Sequence, residues 1–150
     1  MPSIVLSSDL ISIELKTFTE DSFPREFLTS TGVSYSAWGA PATDGTSYEP
    51  KCLWNLVALA NKAEAQKLTR LWVLSQKQNL RLIDTIDPIW EESATPARAI
   101  APDTEIEFVD GGISYFAQFD CRMTQPIKQA ADGKLRRVTL QLTETDRVLP

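Results

Sequence analysis

Lys51 to Ile86, KCLWNLVALANKAEAQKLTRLWVLSQKQNLRLIDTI, decides how this chain is built. If extended, Cys52, Trp54, Leu56, Ala58 and Ala60 point one way and Leu53, Val57 and Leu59 the other, giving a strand that is apolar on both faces. Such a strand wants cover on each side of its sheet. Asn61 then stands in an N-cap position with Glu64 three residues on, the spacing of a capping box, and Ala65, Leu68, Leu71, Trp72 and Ser75 recur on one helical face. Asn79 suits a left-handed stop after the last turn. Leu80, Leu82 and Ile86, alternating with Arg81 and Thr85, form a second strand that ends at Asp87-Pro88. A continuous helix from Pro50 to Gln78 also fits the apolar spacing, because Pro is favourable at a first helical position and Leu53, Leu56, Val57 and Ala60 share a face. Periodicity leaves both open. The capping pair favours strand then helix, since Asn61 and Glu64 would be wasted in a helix interior.

N-terminal to this stretch, Ile11, Ile13 and Leu15 alternate with Ser12, Glu14 and Lys16, the pattern of a half-buried strand. Phe18 to Tyr35 reads as a weak, edge-type strand pair interrupted by Pro24 and Gly32. Ser36 to Pro50 is dense in Gly, Pro, Ser, Thr and Asp and reads as a loop, with Trp38 and Tyr48 as its anchors onto the domain or onto a partner. C-terminal to it, Ile89 to Pro102 has two prolines and no period, a long excursion carrying Trp90 as a third loop aromatic. Asp110-Gly111-Gly112 marks a hairpin, and its second arm is long: Ile113, Tyr115, Ala117, Phe119, Cys121 and Met123 share one face. A polar connection, a turn at Asp132-Gly133 and a strand with Val138, Leu140 and Leu142 inward complete the chain. The expectation is an α+β, mainly β domain over residues 1–150: an antiparallel β-sandwich or partly open barrel with one packed amphipathic helix at about Asn61–Gln78.

Composition bounds the function. The 150 residues carry a formal net charge of -5, with 43% hydrophobic and 23% charged residues, the profile of one globular domain. An acidic pI near 4.8 argues against sequence-specific nucleic-acid binding and against an anionic membrane partner. The start has no charged leader followed by an apolar run, and no stretch has transmembrane length, so a cytoplasmic site of synthesis and assembly is expected. With no histidine, Ser-His-Asp, Cys-His and HExxH chemistry are all unavailable. Cys52 and Cys121 have no zinc spacing; two buried thiols are expected, a disulfide being the alternative. Glu105 and Glu107 would project from one strand face like a carboxylate pair, though catalytic pairs normally converge from different elements. Asp84, Asp87, Glu91 and Glu92 lack the order of a calcium loop and read as solvated surface. Neither a catalytic residue, a cofactor nor a metal site is implied.

Charge is unevenly distributed. Lys62, Lys67, Arg70 and Lys77 on the helix, with Arg136 and Arg137 near the C-terminus, oppose Asp87, Glu91 and Glu92. A basic and an acidic face on one small domain suit head-to-tail self-association, so these nine residues are the candidate subunit interface.

The order of elements also carries a resemblance. A capped helix rich in Leu and Trp, LRLIDTIDPIWEE (80–92), a long loop, YFAQFDCRMTQPI (115–127) and LRRVTLQLTETDRVL (135–149) together resemble the distal tail proteins and the related minor tail protein M family of tailed bacteriophages. The resemblance covers Cys52 to the C-terminus; residues 36–50 and 89–102 depart from it. It implies a helix packed on a β-sandwich and two long closing antiparallel strands. The role it implies is structural: a virion protein forming a ring, commonly hexameric, that joins the tail tube to hub proteins of a tail tip or baseplate. The alternative is a small β-rich binding module for carbohydrate or protein, with Trp38, Tyr48 and Trp90 as stacking aromatics.

Overall fold

The computed structural model describes residues 3–19, 51–145 and 148–150, and the strands within 23–44 by their backbone. Among the described residues thirteen strands and one helix follow in order: β1 (Ile4–Ser7), β2 (Ser12–Leu15), β3 (Phe23–Phe27), β4 (Gly32–Tyr35), β5 (Pro41–Asp44), β6 (Cys52–Ala60), α1 (Lys62–Ser75), β7 (Leu80–Asp84), β8 (Ile89–Glu91), β9 (Glu107–Val109), β10 (Gly112–Tyr115), β11 (Gln118–Met123), β12 (Lys128–Asp132) and β13 (Leu135–Glu144). The main antiparallel sheet runs β2-β1-β7-β11-β13-β6-β3, with β12 added to β13. A smaller sheet has the order β8-β10-β9, and β4 pairs with β5.

The main sheet curls into a half-barrel. One corner shows how. β2 is an end strand and stops at Leu15, yet the Thr17 carbonyl accepts from the Leu59 N–H at 3.0 Å and the Thr19 N–H donates to the Val57 carbonyl at 2.9 Å. Two residues span at most about 7 Å, so the two margins of the sheet meet there. The partly open barrel is therefore the form the fold takes.

Strand then helix is the arrangement of the opening stretch. β6 pairs with β13 from Ala60↔Arg136 to Leu53↔Thr143, and Cys52, Trp54, Leu56, Ala58 and Ala60 are all buried. The opposite face, Leu53, Asn55, Val57 and Leu59, is only half-buried, so the double cover expected of β6 is incomplete: α1 fills the inside of the curl and lies on one side alone. Asn61 Oδ1 accepts from the Glu64 N–H at 2.8 Å and Glu64 Oε1 accepts from the Asn61 N–H at 3.2 Å, the reciprocal box that starts α1. Ala65, Leu68, Leu71 and Ser75 are buried and Trp72 half-buried, as their spacing requires.

Other expectations need correction. α1 ends at Ser75, three residues early, because Gln76 caps it and the Lys77 and Gln78 N–H groups bond the Leu74 carbonyl in a turn. Asn79 is outside the left-handed region; its side chain instead accepts from Arg122 Nε at 3.0 Å. The loop at Ser36 to Pro50 contains β5, and β4 pairs with it, so β3 and β4 are not partners; β3 lies against β6. The polar connection before Asp132 is β12, recruited by β13 although its sequence lacks an apolar face. Finally, the long arm from Ile113 to Met123 is two strands. Its shared face is buried throughout, but residues 99–101 pair with 116–118 and interrupt it: the Ala101 N–H donates to the Phe116 carbonyl at 2.8 Å and the Gln118 N–H to the Ala99 carbonyl at 2.9 Å. The arm thus leaves the small sheet as β10 and enters the large one as β11.

Strand direction gives the half-barrel two ends, with neighbouring strands staggered: Leu80 pairs with Cys121, and Cys121 with Glu144. β6 and β11 run toward Ala60 and Met123, and β7 and β13 run away from Leu80 and Leu135, at the end where α1 enters. Cys52, Asp84, Ala117 and Glu144 lie at the other, where the small sheet attaches. Between them sits the core, with Trp54 edge-on to Phe119 at 4.7 Å between ring centroids.

Candidate functional site

At the small-sheet end the inward positions of the strands turn polar. Leu80 and Leu82 are followed inward by Asp84, and Val138, Leu140 and Leu142 by Glu144, both fully buried. Asp84 therefore leaves the solvated acidic group in which its sequence neighbours placed it. It accepts from the Trp54 indole N–H at 3.3 Å and from the Ile86 N–H at 2.8 Å.

Glu144 is met by Arg98, from the excursion 89–102. Arg98 Nε donates to Oε2 and Nη2 to Oε1, each at 2.9 Å, in a two-point pair with side chains 4% and 1% exposed. Oε1 also accepts from the Cys52 N–H at 3.1 Å, and the guanidinium lies 5.5 Å from the Phe119 ring centre. Burial works against the Arg98 charge, but the hydrogen bond and charge of Glu144 outweigh it and its pKa is raised. The network continues outward: the Arg98 N–H donates to the Tyr115 hydroxyl at 3.2 Å, which donates to Glu91 Oε1 at 2.7 Å. Burial first, then the Glu91 bond, hold the Tyr115 phenol well above its ordinary range.

Cys52 and Cys121 are both buried free thiols. Their strands flank β13 on opposite sides, about 10 Å apart by strand spacing, and a disulfide spans at most about 7 Å between Cα atoms. Burial, then the charges of Asp120 and Glu144, push the Cys121 thiol far up, so it is held protonated.

This network fixes the base of the small sheet, whose free margin faces solvent. Trp90 lies over Gly112, where a methyl group would come within 2.8 Å of the indole, and its Nε1 donates to the Val109 carbonyl at 3.1 Å. It is 51% exposed. Phe108 is paired with Ile113 and so shares its face, yet Ile113 is fully buried while Phe108 is 80% exposed. The core-facing side of the small sheet continues past its cover.

The predicted residues fall into these two ends. Lys62, Lys67, Arg70 and Lys77 are exposed on α1 and the turn that follows it, and Arg136 and Arg137 are exposed on β13 at the same end. Lys62 lines one groove together with Lys134 and Arg136. Trp90 and Glu92 are exposed at the opposite end, whereas Glu91 is turned inward, accepting from Tyr115 and, through Oε2, from the Ala97 N–H at 3.0 Å. Asp87 is half-buried beside Asp84. Trp38 and Tyr48 lie outside the described residues. Glu105 precedes β9 and Glu107 lies on it, both exposed on the surface. Among the described residues no group of three or more His, Cys, Asp or Glu side chains is placed to hold a metal ion.

No protein-family model, curated protein or solved structure matches the chain. Sequence reasoning missed Arg98, Glu144 and Phe108. Glu144 had left a signal: like Asp84, it continues an inward alternation of apolar residues, and a carboxylate at such a position demands a buried partner.

Proposed function

We propose that this chain is a structural subunit of a bacteriophage tail tip or baseplate, assembling head-to-tail into a ring, of hexameric order by resemblance, that joins the tail tube to the hub. The supporting observation is the polarity of the half-barrel. Segment 84–117, at the small-sheet end, has eight acidic residues and one base, the buried Arg98, a formal −7. Segments 62–77 and 128–137, at the helix end, have eight basic residues and two acidic ones, a formal +6. All eight bases are exposed, as are Glu92, Asp103, Glu105, Glu107 and Asp110 opposite them. Unlike ends on one subunit favour a heterologous contact, the kind that closes rings. Electron microscopy of phage particles made without the gene tests the reading. Absent or truncated tails support it; complete, infectious tails reject it.

A second reading rests on Trp90. An indole packed on Gly112, bonded to the Val109 carbonyl and half exposed is a platform on which a sugar ring could stack. A glycan array with wild type and Trp90→Ala separates the two: binding that vanishes in the variant favours this module, and no binding removes it.

A further inference from the structure

We propose that the Phe108 edge of the small sheet docks into the groove beside Arg70 on the helix end of a second copy of this chain. The inference rests on the head-to-tail reading and names the surfaces that would meet.

The donor surface is β9. Its Phe108 stands on the face that Ile113 buries, in the edge position of the small sheet, so the residue continues a core face into solvent. Val109 next to it is 39% exposed. Glu107 and Asp110 flank them, both exposed, and Asp110 and Gly111 take the positive φ values, 52° and 79°, that make the turn tight and the tip well defined. An apolar knob rimmed by carboxylates results.

The acceptor lies at the opposite end. The turn between β1 and β2 carries Leu10, 79% exposed, and α1 presents Val73, 52% exposed. Together with Thr69, Arg70 and Leu74 they line a groove of 230 Å³. The Ser8 side chain accepts from the N–H groups of Leu10 and Ile11, both at 3.2 Å, so the turn that presents Leu10 is held. Arg70 lies three residues before Val73 on the same helix and lines the groove beside it. An apolar groove with the exposed Arg70 guanidinium on its helix side, across from Asp9 in the turn, offers apolar cover for Phe108 and one cation for the carboxylates beside it.

A second copy is the favoured occupant because both surfaces belong to one chain and sit at opposite ends of it. A tip cannot reach the groove of its own subunit across the half-barrel. Apolar centre with charged rim is also the anatomy in which a few central anchors carry association while the rim sets orientation.

Mixing two variants tests this. Phe108→Ser removes the knob and Val73→Glu closes the groove; both positions are exposed, and the carboxylate introduced by the second change would lie three residues from Arg70 on the helix, so each variant should fold. Each alone should associate about thirtyfold more weakly than wild type. Mixed in equal amounts they should form a dimer and nothing larger, since only the intact tip of one and the intact groove of the other remain, with mass read by sedimentation. Wild type that stays monomeric, a variant that assembles like wild type, or a mixture without dimer overturns the proposal. The outcome is separable from the tail reading: complete tails without the protein would reject that reading and leave a complementing pair intact, whereas a pair that fails in a protein required for tails rejects this contact alone.

Discussion

The two ends of the half-barrel are built by opposite means. At the helix end the signals that shape α1 are local: Asn61 and Glu64 close a box three residues wide, and Ala65, Leu68 and Leu71 recur at one spacing. At the small-sheet end the pieces come from far apart. Arg98 and Glu144 are 46 residues distant in sequence, Cys52 and Glu144 are 92, and the excursion that supplies Arg98 has no period at all. The difference is that one end is built from neighbours in sequence, while the other is joined from distant segments around a buried ion pair.

Breaking that pair should have the largest effect. Arg98→Ala leaves the Glu144 carboxylate buried beside one backbone donor and should cost about 3 to 5 kcal/mol, read as a fall in the urea midpoint. Leu68→Ala, at the fully buried centre of the helix stripe, should cost about 2 to 5 kcal/mol by leaving a cavity. The Arg98→Met, Glu144→Leu double variant sharpens the contrast: it should recover most of what Arg98→Ala loses, because no buried charge is left unpaired.

Next comes Gly112→Ala. A methyl group there meets the Glu91 carbonyl and the Trp90 ring, so the variant should lose about 1 to 3 kcal/mol and shift Trp90 fluorescence, with α1 helicity by circular dichroism unchanged. Asn61→Ala should have the smallest effect of the four sites, about 1 kcal/mol, since it removes one half of an exposed box.

Alkaline pH should weaken the network end selectively. The folded chain holds the protons of Tyr115 and Cys121 where the unfolded chain releases them, so their folded pKa values lie above their unfolded ones. As both are acids kept neutral, the folded state binds more protons at high pH and stability falls as pH rises through the unfolded values, near about 8.5 for Cys and about 10 for Tyr. Each group contributes at most about 1.4 kcal/mol per pH unit. Unfolding midpoints from about pH 8 to about pH 11 should decline, and Tyr115→Phe should flatten the upper part of that slope.

The same contrast explains what sequence alone could reach. The strand, cap, helix and following strand of the opening stretch were readable because each signal lies within a few residues of its partner. The buried alternations at Ile113 to Met123 and Val138 to Leu142 were readable too, for the same reason. What escaped was non-local: β5 and β12, which exist because β4 and β13 pair with them, and the break at Phe116, which exists because residues 99–101 intrude. At the candidate interface the basic cluster on Lys62, Lys67, Arg70 and Lys77 was visible as charge on a helix. Glu91 was not separable from Glu92, since only the fold turns one toward Tyr115 and leaves the other outside.

Complementary ends should make the protein self-associate through charge. Light scattering of the wild-type chain across concentration, at low and at high salt, reads this directly. The mass should climb well above the 16.7 kDa of one chain at low salt and fall back as salt screens the two ends. A 16.7 kDa species that persists at high protein concentration, whatever the salt, would contradict the account.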